Sequence, residues 1–125
     1  LLTYLWIALG SAIGGMARYG LSTLVAQAAG GTFPWGILLV NATGSFLIGV
    51  CAAVPSGLSP DARLFLTVGV CGGYTTFSSF SLQTLDLLRG GLAAAALANI
   101  AGSILLCLLA VWAGAAAGGL IGAGR

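Results

Sequence analysis

Charge is what this sequence has least of. Only 5% of its 125 residues are charged, against roughly 25% in soluble domains. Arg18, Arg63, Arg89 and Arg125 against Asp61 and Asp86 leave a net charge of +2, too sparse for a nucleic-acid surface or a polybasic lipid patch. Histidine is absent, and the two acids sit near the ends of one apolar segment, so acid–base catalysis has no constellation to work with. Cys51, Cys71 and Cys107 lie far apart in apolar segments and read as small buried hydrophobes, not as metal ligands or a disulfide framework. What remains, at 59% hydrophobic residues, is an all-α membrane protein.

Its length allows one domain, 1–125, with no linker or polar module. A spanning helix needs roughly 20 mostly apolar residues, and four such segments fit: about 2–28, 34–54, 62–88 and 92–120. AAGGTFP and PSGLSPD punctuate the first two breaks, and Pro34 suits the first turn of the second helix. The chain opens on Leu1 rather than Met, so residues are expected to precede it, and the first run is read as a retained span. Short loops predict one antiparallel bundle.

Small residues recur four apart at Gly10 and Gly14, at Ser45 and Gly49, and at Gly114, Gly118 and Gly122. In lipid such spacing lets helix backbones approach closely, within the chain or across a subunit interface. Arg63 and Arg125 fall on one side of the bundle, Arg18 and Arg89 on the other. Orientation normally follows an excess of positive charge on the cytoplasmic side, so this balance is compatible with insertion in both directions.

The informative residues are the polar ones inside spans, because each loses hydration and must find a partner. Arg18 either snorkels to the interface or is buried, where it pairs with carbonyls and attracts anions. Asn41, in LLVNATGSF, can donate to an anion or cross-link helices. In the third span GGYTTFSSF (Gly72 to Phe80) sets two glycines before β-branched threonines, a poor helix sequence that predicts a break near the middle. Broken helices are tolerated at membrane depth where the freed backbone is buried, faces water or holds an ion. Beyond the break, Thr76, Ser79 and Gln83 form a polar stripe beside Phe77 and Phe80. Asn99, Ser103 and Cys107 repeat every four residues on the fourth helix. Two phenylalanines at this spacing suit lipid contact or packing, or can present positive ring edges to a small anion.

Three ordered motifs, GGMARY (14–19), PWGILLVNATGSFLIG (34–49) and VCGGYTTFSSFSLQT (70–84), resemble those of the Fluc, or CrcB, fluoride channels, over essentially the whole chain. The resemblance implies a multi-pass protein of the bacterial cell membrane, built as an antiparallel dual-topology dimer with two fluoride pores. The partner is a second copy or a homologue. It also implies a central structural Na⁺ on the backbone carbonyls of Gly72 and Thr75. Asn41 is then a fluoride donor, Phe77 and Phe80 the pore rings and Ser103 a pore hydroxyl, with passive fluoride export as the activity.

Tyr74, Gln83, Asn99 and Cys107 depart from the family pattern, which favours an apolar residue, Glu, Tyr and Ser at those places. A proton-coupled exporter of the small multidrug-resistance type is the alternative, but it resembles this chain only if an acid lies in the first span, and none does. A third reading, an assembly subunit without transport, leaves so many midspan polar groups without a purpose.

Overall fold

The computed structural model describes residues 1–54 and 58–123. Pro55 to Gly57 of the second loop, Arg125 of the charge balance and the packing of Gly122 lie outside the described residues. Among those described, the chain is helical throughout, without strands. In order come α1 (Leu2–Ala29), α2 (Trp35–Ala53), α3 (Pro60–Leu64), a π-helical stretch (Phe65–Cys71), α4 (Gly72–Tyr74), α5 (Phe77–Arg89) and α6 (Ala93–Ala123).

The helix ends follow local chemistry. Gly30 and Gly31 after α1, and Gly91 before α6, take the positive φ values that side chains resist. Ser59 caps α3 by accepting the Ala62 N–H at 3.2 Å, with Pro60 in the first turn. Thr76 caps α5 by accepting the Ser79 N–H at 3.2 Å. Two helices, Trp35–Ala53 and Ala93–Ile121, are long and apolar enough to cross a membrane. α1 has the length, at 28 residues, with lower mean hydropathy.

α2 and α6 make the most extensive helix contact, and glycines make it possible. A Cβ on Gly49 would stand 2.9 Å from the Ala115 nitrogen, and one on Gly118 2.6 Å from the Val50 carbonyl oxygen. α1 lies against the π-helical stretch and α4 in the same manner: a Cβ on Gly69 would come within 2.9 Å of Gly10 Cα, and one on Gly73 within 2.6 Å of the Ser11 carbonyl oxygen. Gly10, Gly14, Gly49, Gly114 and Gly118 therefore serve packing within the chain, while Ser45 lies on a cavity.

In the Gly72–Thr76 stretch, whose low propensity predicts a break, the helix stops at the threonines. Gly72 and Gly73 are helical, and the extended residues are Thr75 (φ −81°, ψ 156°) and Thr76 (φ −153°, ψ 119°). Gly73 is there for the approach of α1, Gly72 faces the cavity, and the helix stops where a side chain of α2 takes over its hydrogen bonding.

Few large side chains are enclosed. Val40 and Asn99 are the largest fully buried ones, while leucines, isoleucines and tryptophans are exposed along α1 and α6. The accessible surface is 7467 Å², against roughly 6,100 Å² expected from size scaling for a compact soluble monomer of this mass. The apolar residues face outward, as a lipid-facing or partner-facing chain requires.

Candidate functional site

α2 meets the break through Asn41, Thr43 and Gly44. Asn41 Nδ2 donates to the Thr76 carbonyl at 3.0 Å, and the Thr76 N–H donates to Asn41 Oδ1 at 2.8 Å. In a continuous α-helix that N–H would bond the carbonyl four residues back, which is Gly72. The carboxamide thus replaces a turn of helix on both its donor and acceptor sides. Asn41 is a cross-link between α2 and the extended segment, and its second N–H remains for another acceptor.

The carbonyls around the break have unlike surroundings. The Thr75 N–H and hydroxyl both donate to the Cys71 carbonyl at 3.0 Å. The Thr75 carbonyl accepts a long contact, 3.4 Å, from Arg18 Nη1. Arg18 is half-buried and points its charge at the break. Gly72 is exposed on the cavity wall.

That cavity, about 460 Å³, gathers Asn41, Gly72, Thr75, Thr76, Phe77, Phe80, Ser103 and Cys107. The Phe77 and Phe80 rings are 5.2 Å apart, tilted by 45°, and Phe77 is 78% exposed. Thr76 is buried and shares 3.2 Å hydrogen bonds with the Ser78 and Ser79 hydroxyls. Ser103 is buried on the opposite wall and donates to Asn99 Oδ1 at 3.4 Å. Asn99, 1% exposed, donates to Thr84 Oγ1 at 2.9 Å, and Thr84 donates to the Phe80 carbonyl at 2.8 Å. A buried polar chain thereby joins α6 to α5 behind the Phe80 ring.

Ser79 touches this cavity only through Thr76, and Gln83 not at all. Gln83 borders a second cavity, also about 460 Å³, with Ser22, Gln27 and Trp35. Its Oε1 is buried without a hydrogen-bond partner. Of the charged residues at the ends of the third segment, Asp86 and Arg89 are exposed, Asp61 accepts from the Thr3 hydroxyl at 3.4 Å and Arg63 donates to the Val54 carbonyl at 3.4 Å. All three cysteines are free thiols.

Sequence reasoning missed two contacts. Thr43 meets the Tyr74 hydroxyl at 2.8 Å, and Tyr74 is only 9% exposed. Gly44 makes room for that ring: a Cβ there would stand 3.0 Å from Tyr74 Cδ1. The available signal was the polar and small run NATG in an otherwise apolar helix.

Chemically, the cavity offers edges of aromatic rings, one spare amide N–H, exposed backbone at the break and a nearby guanidinium. The rings and the amide N–H suit a small anion, and neutral backbone carbonyls at the break suit a hard cation.

Comparison with known proteins points the same way. A family model described as CrcB-like protein, Camphor Resistance (CrcB), matches residues 5–115. A protein of Methylocella silvestris named fluoride-specific ion channel FluC is 53% identical over 116 residues, covering 89% of this chain and 88% of the relative. One of the same name from Paramagnetospirillum magneticum is 52% identical over 126 residues, covering 97% and 98%. Another, from Thermus thermophilus, is 50% identical over 120 residues, covering 94% and 96%.

Proposed function

The chain belongs to the CrcB-like family, and from that premise we propose that it is a fluoride-specific ion channel that lets cytoplasmic fluoride leave the cell passively and so confers fluoride resistance. The observation that carries the reading is similarity along nearly the full length to relatives named as fluoride channels. These names favour the channel over the proton-coupled exporter, and channels are not enzymes.

Fluoride is small and strongly hydrated, so a selective path must be narrow and must replace lost water. Beside the break, the Phe77 and Phe80 rings offer positive edges, the spare Asn41 N–H a donor and Ser103 a hydroxyl. Thr76, with the Ser79 hydroxyl bonded to it, adds hydroxyls beside the rings, while Gln83, on the same stripe in sequence, borders a separate cavity. Arg18 adds positive potential near the break.

The Gly72 and Thr75 carbonyls suit a structural Na⁺. Thr76 gives its N–H to Asn41 rather than to the Gly72 carbonyl, and the Thr75 carbonyl has only the long Arg18 contact. A bound Na⁺ would supply fixed positive charge where chain copies meet, and Arg18 would have to yield the Thr75 carbonyl to it. Two neutral oxygens are too few to hold a hard cation alone, and a dimer would double the set to four. The surface excess and the open cavity face support the same dimer. An antiparallel arrangement agrees with the balanced arginines, and the partner is a second copy or a homologue. The two halves Phe65–Tyr74 and Phe77–Arg89 are then one broken span of a four-span, multi-pass protein of the bacterial inner membrane.

Fluoride efflux from liposomes holding the purified protein, with Na⁺ present, any encoded homologue supplied and chloride as the control ion, tests this reading. Rapid F⁻ release without Cl⁻ release is expected. No F⁻ release from folded protein would sink it.

A further inference from the structure

Tyr74 carries a hydroxyl into a buried position, 9% exposed, so that hydroxyl needs a partner. The ring lies over Gly44 of α2 and is buried. Its oxygen is 2.8 Å from Thr43 Oγ1. Thr43 has one hydroxyl proton, and its oxygen lies 2.7 Å from the Leu39 carbonyl and 3.2 Å from the Val40 carbonyl, so that proton is committed to its own helix. Tyr74 must therefore be the donor and Thr43 Oγ1 the acceptor.

The bond matters because of its position. The Asn41 carboxamide holds the far side of the break at Thr76, whereas Tyr74 is the last helical residue on the near side. Between the two anchors lies Thr75, whose Cγ2 packs against Gly44. Thr43 and Asn41 are two residues apart on one rigid helix, so together they fix both ends of a two-residue extended segment. Without the near anchor, Tyr74 can turn about its Cα and carry the Thr75 peptide with it, while the Asn41 clamp stays closed.

We propose that Tyr74 is a positioning residue: its hydroxyl, donating to Thr43 Oγ1, sets the placement of the Gly72 and Thr75 carbonyls, and so the ease with which Na⁺ is held at the break. This rests on the channel reading above for the Na⁺ site, but the brace itself does not.

Tyr74→Phe keeps the ring and removes only the hydroxyl; Thr43→Val removes the acceptor, and Thr43→Ser restores it. Two measurements are made on the purified full chain: amide hydrogen exchange over residues 71–80, and the Na⁺ concentration that half-activates F⁻ efflux from liposomes. Tyr74→Phe and Thr43→Val are each expected to speed exchange and raise the half-activating Na⁺ by roughly two- to tenfold, the range that one net hydrogen bond carries. Thr43→Ser should match the wild type, and the double variant should do no more than either single one. Wild-type exchange in Tyr74→Phe, or additive effects in the double variant, would overturn the brace. Faster exchange with unchanged Na⁺ dependence would overturn the positioning role. Absence of F⁻ flux in the wild type would instead overturn the channel reading, leaving exchange to decide the brace.

Discussion

α6 and α5 both pack against the rest of the bundle, but by opposite means. α6 lies on α2 backbone to backbone, with Gly49, Gly114 and Gly118 removing every side chain that could hold the helices apart. α5 has a far smaller contact and is held by polar groups, Asn41 to Thr76 at its start and Asn99 to Thr84 along its length. Close glycine packing is rigid and leaves no space. Hydrogen-bonded posts leave a cavity between them, and that cavity carries the candidate path.

If the comparison is right, the largest effect belongs to the glycine seam. Gly114→Leu puts a Cβ 2.9 Å from the Phe46 carbonyl carbon, against backbone that cannot yield. A loss of about 3 kcal/mol or more is expected from such overpacking, read as failure to recover a monodisperse folded species after detergent extraction. Recovery at wild-type yield and Tm would break the contrast.

Next comes the post at the break. Asn41→Ala strands the Thr76 N–H and carbonyl, and Thr76 is 8% exposed. Each group left unsatisfied costs roughly 1–3 kcal/mol; because Thr76 lines the cavity, where water can replace the carboxamide, the low end of about 2 kcal/mol for the pair is expected, a smaller Tm drop than that of Gly114→Leu. Loss of exchange protection at Thr76 and Ser79, whose N–H groups bond Asn41 Oδ1 and the Thr76 hydroxyl, should accompany it. Protection unchanged at these amides would show that the carboxamide is not the anchor.

The smallest effect sharpens the comparison from outside. Asp86 and Arg89 are exposed at the far end of α5, where substitutions ordinarily stay within about 0.5 kcal/mol. Asp86→Ala should leave thermal stability and F⁻ flux at wild-type levels. A large loss in either would give the end of α5 a role that its exposure denies.

Helical class and family were legible because both rest on local signals: apolar length, short loops and three ordered motifs. The place of the break was less so. Low helix propensity marked the whole stretch from Gly72 to Thr76, but propensity is a weak prior against packing, and Gly72 and Gly73 stay helical, Gly73 under α1. What ends the helix is Asn41, 35 residues away in sequence, and no local pattern reports that. Spacing likewise placed Gln83 on one stripe with Thr76. Seven residues of helix advance about 10 Å, enough to carry Gln83 into a different cavity. Arg18 was legible as costly, but not as a donor to Thr75, because its depth depends on how α1 meets α4. Asn99, a departure from the family pattern, is explained by Thr84 across the helix contact. Its own sequence neighbours say nothing of it.

The central claim is that fluoride passes along the cavity beside the break, past the Phe80 ring. Phe80→Ile keeps the volume apolar and removes the ring edge, an attraction worth about 0.5–1.5 kcal/mol and so roughly two- to tenfold in rate. F⁻ efflux should be compared between wild-type and Phe80→Ile liposomes prepared from protein of matched Tm. The account predicts a flux lower by at least that factor with assembly intact; equal flux at matched stability would contradict it.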